Sequence, residues 1–169
     1  MPTLTPTSTA GRLYHRPVAT GPAYWGPGDH YTFLVTGKES GGAYFAMEAL
    51  VPPGGGPPPH IHTREDETFY LLEGEIEFLL GDELILAGAG DFVNVPRGTV
   101  HRFRNTGTQT ARLVLTFTPA GIERWFEETL ESAPNEVRAD EVPDNAQEVA
   151  ARYEEAAPRY GIEFVDVSA

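Results

Sequence analysis

No run of strand-forming residues in this chain extends far before glycine or proline stops it. The 169 residues include 18 Gly and 15 Pro. Between Leu13 and Phe117 these residues separate short runs rich in aromatic and branched side chains. "YTFLVTG" (31–37) and "GAYFAMEALV" (42–51) flank a turn at "GKESGG". "ETFYLLEG", "EIEFLL", "ELILA", "DFVNV", "VHRFRN" and "ARLVLTFT" follow, parted by turn residues at 81–82, 88–91, 97–98 and 105–109. Glycine supplies the positive φ angles that tight turns demand and proline presets φ, so each run is predicted as a separate strand. No helical period interrupts the series, and the expected class is all-β, a sandwich or barrel. Alternation along each strand puts His101 and Phe103 on one face with Arg102 and Arg104 on the other, and aligns Leu113, Leu115 and Phe117.

After Pro119 the pattern changes. "GIERWFEETLES" sets Ile122, Trp125, Phe126 and Leu130 at helical spacing. A second helix is predicted through "DNAQEVAARYEEAA", with Asp144 as N-cap, Gln147 three residues on and Pro158 ending it. The closing "GIEFVDVSA" fits either a strand or an arm docked on a neighbour. The expected division is therefore a flexible Thr/Pro/Ser-rich arm over 1–11, a β-barrel over 12–119 and a C-terminal helical extension over 120–169. The extension is expected to cover the barrel or build a contact in a homodimer, the commonest closed assembly.

Charge and cysteine content exclude several chemistries. Twelve Lys and Arg stand against 25 Asp and Glu, a net charge of −13, which repels phosphate backbones and argues against a nucleic-acid partner. Cysteine is absent, so disulfides, thiolate metal ligands and cysteine nucleophiles are out. "MPTLTPTSTAG" has neither the charge nor the apolar core of a signal peptide, and no stretch approaches the ~20 apolar residues of a membrane helix. A cytoplasmic protein without a membrane partner is expected.

Any metal must then be held by imidazole and carboxylate, which turns attention to "PPPHIHTREDETFYLLEGE" at 57–75. In extended chain His60 and His62 share one face, so both imidazoles can reach a single point. Glu67 follows a polar turn and opens a strand whose Phe69 and Leu71 lie on its own face, and His101 is the fourth candidate. Three imidazoles and one carboxylate suit a divalent Mn, Fe, Co, Ni, Cu or Zn ion and leave positions open for substrate and O₂. Phe45, Met47 and Ala49 share a strand face, and Phe69 and Phe103 sit two residues from candidate ligands. Tyr31, Phe33, Tyr44, Trp125 and Phe126 are candidates to close the mouth. Such walls favour a flat or apolar small molecule over a phosphorylated sugar, which calls for Arg or Lys. His15 and His30 are expected at the surface or at strand ends, and Arg64, Glu65 and Asp66 in a solvated turn. Asn105 reads as a turn former, and Asn94 as either cavity-lining or edge.

The first stretch resembles a cupin motif, with Gly54, His60, His62, Glu67 and Gly74 at its spacings. Gly90, Pro96, Gly98, His101 and Asn105 resemble the second cupin motif, and residues 75–89 separate the two. The resemblance implies a single-domain cupin, a double-stranded β-helix or jelly-roll barrel. It also implies one divalent transition metal held by His60, His62, Glu67 and His101. The longer stretch 36–78 is similar to bacterial quercetin 2,3-dioxygenase-like monocupins. That likeness implies a dioxygenase that opens a flavonol-like enol with O₂ and releases CO. Glu67 would serve there as both metal ligand and general base, and Phe45, Met47, Phe69 and Phe103 would line the substrate site. Because cupins vary widely in activity, a non-O₂ enzyme such as an isomerase and a non-catalytic binding protein stay open as alternatives.

Overall fold

In the computed structural model, residues 11–135 and 145–166 are described. The arm up to residue 10 and the expected cap Asp144 lie outside them. The strands are β1 (Ala23–Trp25), β2 (His30–Val35), β3 (Phe45–Val51), β4 (His60–His62), β5 (Asp66–Glu73) and β6 (Glu75–Leu80). They continue with β7 (Glu83–Gly88), β8 (Phe92–Val95), β9 (His101–Arg104), β10 (Ala111–Thr118), β11 (Glu131–Ser132) and β12 (Ile162–Phe164). They form a seven-stranded sheet in the order β11-β1-β2-β3-β10-β5-β8 and a five-stranded sheet in the order β12-β4-β9-β6-β7. The pairings are antiparallel, as expected of a jelly roll rather than of a parallel α/β sheet.

The period-two pattern of "ARLVLTFT" explains the core. In β10 Leu113, Leu115 and Phe117 turn inward while Arg112, Val114 and Thr116 turn outward. This strand lies between β3 and β5, with Leu115 opposite both Met47 and Phe69. Inward side chains of the two sheets then fill one continuous core, with Phe45, Leu71, Ile76, Phe78 and Leu113 almost fully buried. Burial of each such side chain contributes about 1.5–3 kcal/mol.

Three segments refine the expectations. "GKESGG" forms a one-turn helix, α1 (Gly37–Ser40), because Thr36 and Glu39 make a capping box and Gly41 takes φ 68° to end it. The first C-terminal helix is α2 (Glu123–Thr129), and it buries Trp125 and Phe126 as its spacing predicts. The second is α3 (Ala146–Ala156), followed by a 3₁₀ turn at Ala157–Tyr160. Trp125 stacks on Tyr153 of α3 at 3.8 Å, while Phe126 meets Phe33, Phe45 and Phe117 at about 6 Å, so the helices close one mouth of the sandwich. The region after Pro119 is not only helical, since β11 and β12 add an edge strand to each sheet. Within "GIEFVDVSA", Ile162–Phe164 form a strand of this same chain, paired with β4.

Candidate metal centre

Strand β4 is only three residues long, and its alternation aims His60 and His62 into the barrel with Ile61 between them. Across the small sheet, His60 lies directly opposite His101 of β9. Glu67 comes from β5 of the other sheet, on the same inward face as Phe69 and Leu71. The interior therefore receives three imidazoles from one sheet and one carboxylate from the other, all four buried.

Two loops fix this geometry. Gly56 takes φ 124°, and a Cβ there would lie 2.1 Å from the Phe103 carbonyl oxygen, so only glycine lets the proline-rich loop pass β9 on its way into β4. Gly98, at φ 82°, donates its N–H to the His62 carbonyl at 2.8 Å, tying the turn before His101 to the end of the histidine strand.

The donor atoms converge within 4.8 Å of one another. His60 Nε2 is 3.2 Å from His62 Nε2, and Glu67 Oε2 is 3.3 Å from His62 Nε2 and 2.9 Å from His101 Nε2. The outer ring nitrogens decide what faces the centre. His60 Nδ1 lies 2.8 Å from the Pro58 carbonyl and His101 Nδ1 lies 2.9 Å from the Thr99 carbonyl. A carbonyl oxygen only accepts, so each Nδ1 carries the hydrogen and each neutral ring presents a bare Nε2 inward. Bare nitrogens and a carboxylate oxygen packed this closely repel unless a cation lies among them, and a divalent ion with N/O preference fits that requirement. Carbonyls behind two rings are the outer support that metal-binding histidines use.

With no cation among them, the same groups meet by hydrogen bonding instead, which puts a proton on His101 Nε2 toward Glu67. Burial, then the neighbouring His101 and His62, push His60 down to about 3, so it stays neutral. Burial pushes Glu67 up, but hydrogen bonds from His101 and His62 outweigh it and keep the group ionised. His101 is also pushed down by burial, yet Glu67 beside it wins and raises it.

Residues 47–117 match the family model for the Cupin domain. The barrel has the cupin fold. Its fold is similar to that of an RmlC-like cupin from Shewanella frigidimarina NCIMB 400, at TM-score 0.56 and 21% identity over 66% of this chain and 96% of that one. In sequence it is 29% identical over 96 residues to a quercetin 2,3-dioxygenase of Bacillus subtilis, covering 57% of this chain and 28% of that protein. It is also 32% identical over 92 residues to the polyketide synthase CurC of Streptomyces cyaneus, covering 54% of this chain and 60% of the relative. The chain thus spans less than two thirds of either relative.

One small cavity touches the cluster and a larger one lies beside it. The small one of about 20 Å³, room for about one water, is lined by His60, His62 and Glu67 together with Met47, Phe103, Leu115 and Phe117. The larger one of about 420 Å³ is lined by the Gly/Pro loop 52–58 and by Asp29, Tyr31, Tyr153 and Phe164. Tyr31, Pro57 and Tyr153 line both.

The structure separates the four side chains expected at the substrate. Met47 and Phe103 line the small cavity, whereas Phe45 and Phe69 do not line either one. Phe45 stacks on Phe117 at 5.6 Å, and Phe69 packs between Phe78 and Phe103, so both lie in the core. Of the expected mouth residues, Trp125 and Phe126 reach the small cavity while Tyr44 is exposed.

Glu65 corrects the expected solvated turn. It continues the inward alternation of Glu67 and Phe69, and it is buried with Oε2 unpartnered. Asp66 does face solvent and is gripped by Arg97 through two oxygens at 3.0 Å, which holds its carboxyl down at about 2. His15 is exposed, while His30 is a buried strand end bonded to the Pro134 carbonyl. Asn105 forms the turn, bonding the Val51 and Gln109 carbonyls and the Gly107 N–H. Asn94 takes the exposed alternative. Asp29 and Tyr153 had no signal of their own in the sequence. Tyr153 follows Val149 at helical spacing and reads as core, and Asp29 lies in an ordinary turn.

Proposed function

We propose that this cupin-fold protein is a metal-dependent dioxygenase that cleaves a flavonol-like enol with O₂ and releases CO. His60, His62, Glu67 and His101 hold one divalent transition metal, and Glu67 also acts as general base. The observation that carries the reading is the position of Glu67 at the junction of the histidine cluster and an apolar cavity. When bound, the metal supplies a Lewis acid that lowers the pKa of a substrate hydroxyl beside it. Glu67 takes that proton at its carboxylate, which two imidazoles keep ionised against the effect of burial. Met47, Phe103, Leu115 and Phe117 form the apolar wall beside the cluster and keep bulk water from it. The likeness to the quercetin 2,3-dioxygenase of Bacillus subtilis supports the choice of substrate. Neither cavity is lined by an Arg, Lys or Asn among the described residues, so an isomerase acting on a phosphorylated or strongly polar sugar has no matching wall.

The test uses metal-loaded protein. Anaerobic quercetin should shift its absorption band on binding, and admitted O₂ should release CO. Absence of both effects with each of the candidate metals rejects the reading.

The functional unit is proposed as the barrel over 12–119 with 120–169 as its cover, since α2 and α3 close the mouth nearest the cluster. A homodimer is proposed through the outer edges β7 and β8 rather than the C-terminal helices. Those two strands end their sheets and expose Leu84, Leu86 and Phe92, each more than 60% accessible.

A further inference from the structure

The chemistry just described leaves one buried carboxylate unused. Asp29 precedes β2 and is 4% exposed. Its Oδ2 accepts the Tyr31 hydroxyl at 3.0 Å and the Gly56 amide lies close to the carboxylate, but Oδ1 makes no hydrogen bond of full geometry. Gly55 covers that oxygen so closely that a Cβ there would lie 2.6 Å from it. A buried acceptor left unpaired costs about 1–3 kcal/mol, and such groups are rare unless a site requires them.

The surroundings say what would complete it. Asp29 and Tyr31 line the cavity of about 420 Å³, whose other walls are prolines, glycines, Tyr153 and Phe164. The volume suits a small organic molecule, and the aromatic walls suit a flat ring. Glu154 is the other charged residue in the lining, and no Lys or Arg joins it, so carboxylates and phosphates are repelled. Burial, opposed by the Tyr31 hydroxyl and the Gly56 amide, pushes the Asp29 carboxyl up to about 7. Around neutral pH the group therefore pairs with a neutral hydroxyl without needing a full counter-charge. Tyr31 also lines the small cavity at the histidines, so a molecule held at Asp29 extends toward the cluster.

We propose that the larger cavity binds a neutral polyhydroxylated aromatic molecule, with a ring hydroxyl remote from the metal cluster anchored by the Asp29–Tyr31 pair. This rests on the dioxygenase reading only for which other ring reacts; the binding itself does not depend on turnover.

Isothermal titration of metal-loaded protein with (+)-catechin tests it, because catechin carries ring hydroxyls but no enolisable ketone to react. Flavone, which has the rings without hydroxyls, serves as the control. Catechin should bind the wild type, and Asp29→Asn and Tyr31→Phe should each weaken it about tenfold, the scale of one hydrogen bond. Flavone should bind weakly and equally to all three. Equal catechin affinity in wild type and both variants overturns the proposal, as does flavone binding as tightly as catechin. If quercetin yields no CO while the catechin differences hold, the dioxygenase reading falls and this one stands. If CO is released with an unchanged KM in Asp29→Asn and Tyr31→Phe, this one falls alone.

Discussion

Asp29 makes the fold sensitive to pH through a single side chain. Its carboxyl rises from an ordinary 3.8 to about 7 on burial, so between these values the folded chain binds more protons than the unfolded one. Its contribution is fully present below about pH 4, is lost as pH rises through 7 and then levels off, a swing on the order of 4 kcal/mol. Asp29→Asn removes that swing, so urea unfolding at pH 5 and pH 8 should show the variant gaining on the wild type as pH rises. A wild-type-minus-variant difference that is the same at both values speaks against it. Glu67 predicts a different outcome, in catalysis. Glu67→Gln keeps the shape but loses the base and an anionic ligand, so CO release should fall by at least about 10²-fold with far-UV circular dichroism unchanged. Turnover at the wild-type rate removes Glu67 from the base role. At this scale the cluster was legible and the cavity was not. His60 and His62 announce themselves because period two puts them on one face, and two intact motifs bring in Glu67 and His101. Phe45 and Phe69 follow the same alternation, but an inward face holds both core and cavity, and the sequence does not say how deep along the barrel each residue sits.

Among the elements, β12 links the C-terminal region to the ligands. Ile162 pairs with His62 and Phe164 with His60, so the strand carrying two candidate ligands has its outer edge closed by residues about 100 positions later. Without that ladder β4 is a three-residue edge strand, too short to hold two side chains precisely. Glu163→Pro removes a ladder donor, and metal affinity measured by competition with a chelating dye should fall about 10–100-fold, as when outer supports of metal ligands are lost. Unchanged affinity would mean that β9 and the Gly98 turn suffice. "GIEFVDVSA" offered a strand without naming its partner, because pairing across the barrel depends on where the intervening helices deliver the chain. The helix α2 was readable for the opposite reason, since Ile122, Trp125, Phe126 and Leu130 mark one face within a few residues.

The molecule as a whole has a net charge of −13, yet β7 and β8 present Leu84, Leu86 and Phe92 to solvent. If these bury one another across a twofold axis, sedimentation velocity should give a dimer. The pair Leu86→Lys with Phe92→Lys should then shift it to monomer without lowering the melting temperature of the barrel. A wild-type monomer at micromolar concentration ends that assignment.

The pairing of β12 with β4 also sets an order of events during synthesis. The four candidate ligands have all been made by His101, but Ile162 follows about 60 residues later. At about 5–20 residues per second that interval lasts roughly 3–12 s. During it the emerging chain has a complete set of donors and no strand to brace them. If the proposed metal site is right, tight capture of an ion is reserved for chains translated through Phe164, so a chain truncated before Ile162 should hold an added metal more weakly in the same chelating-dye competition.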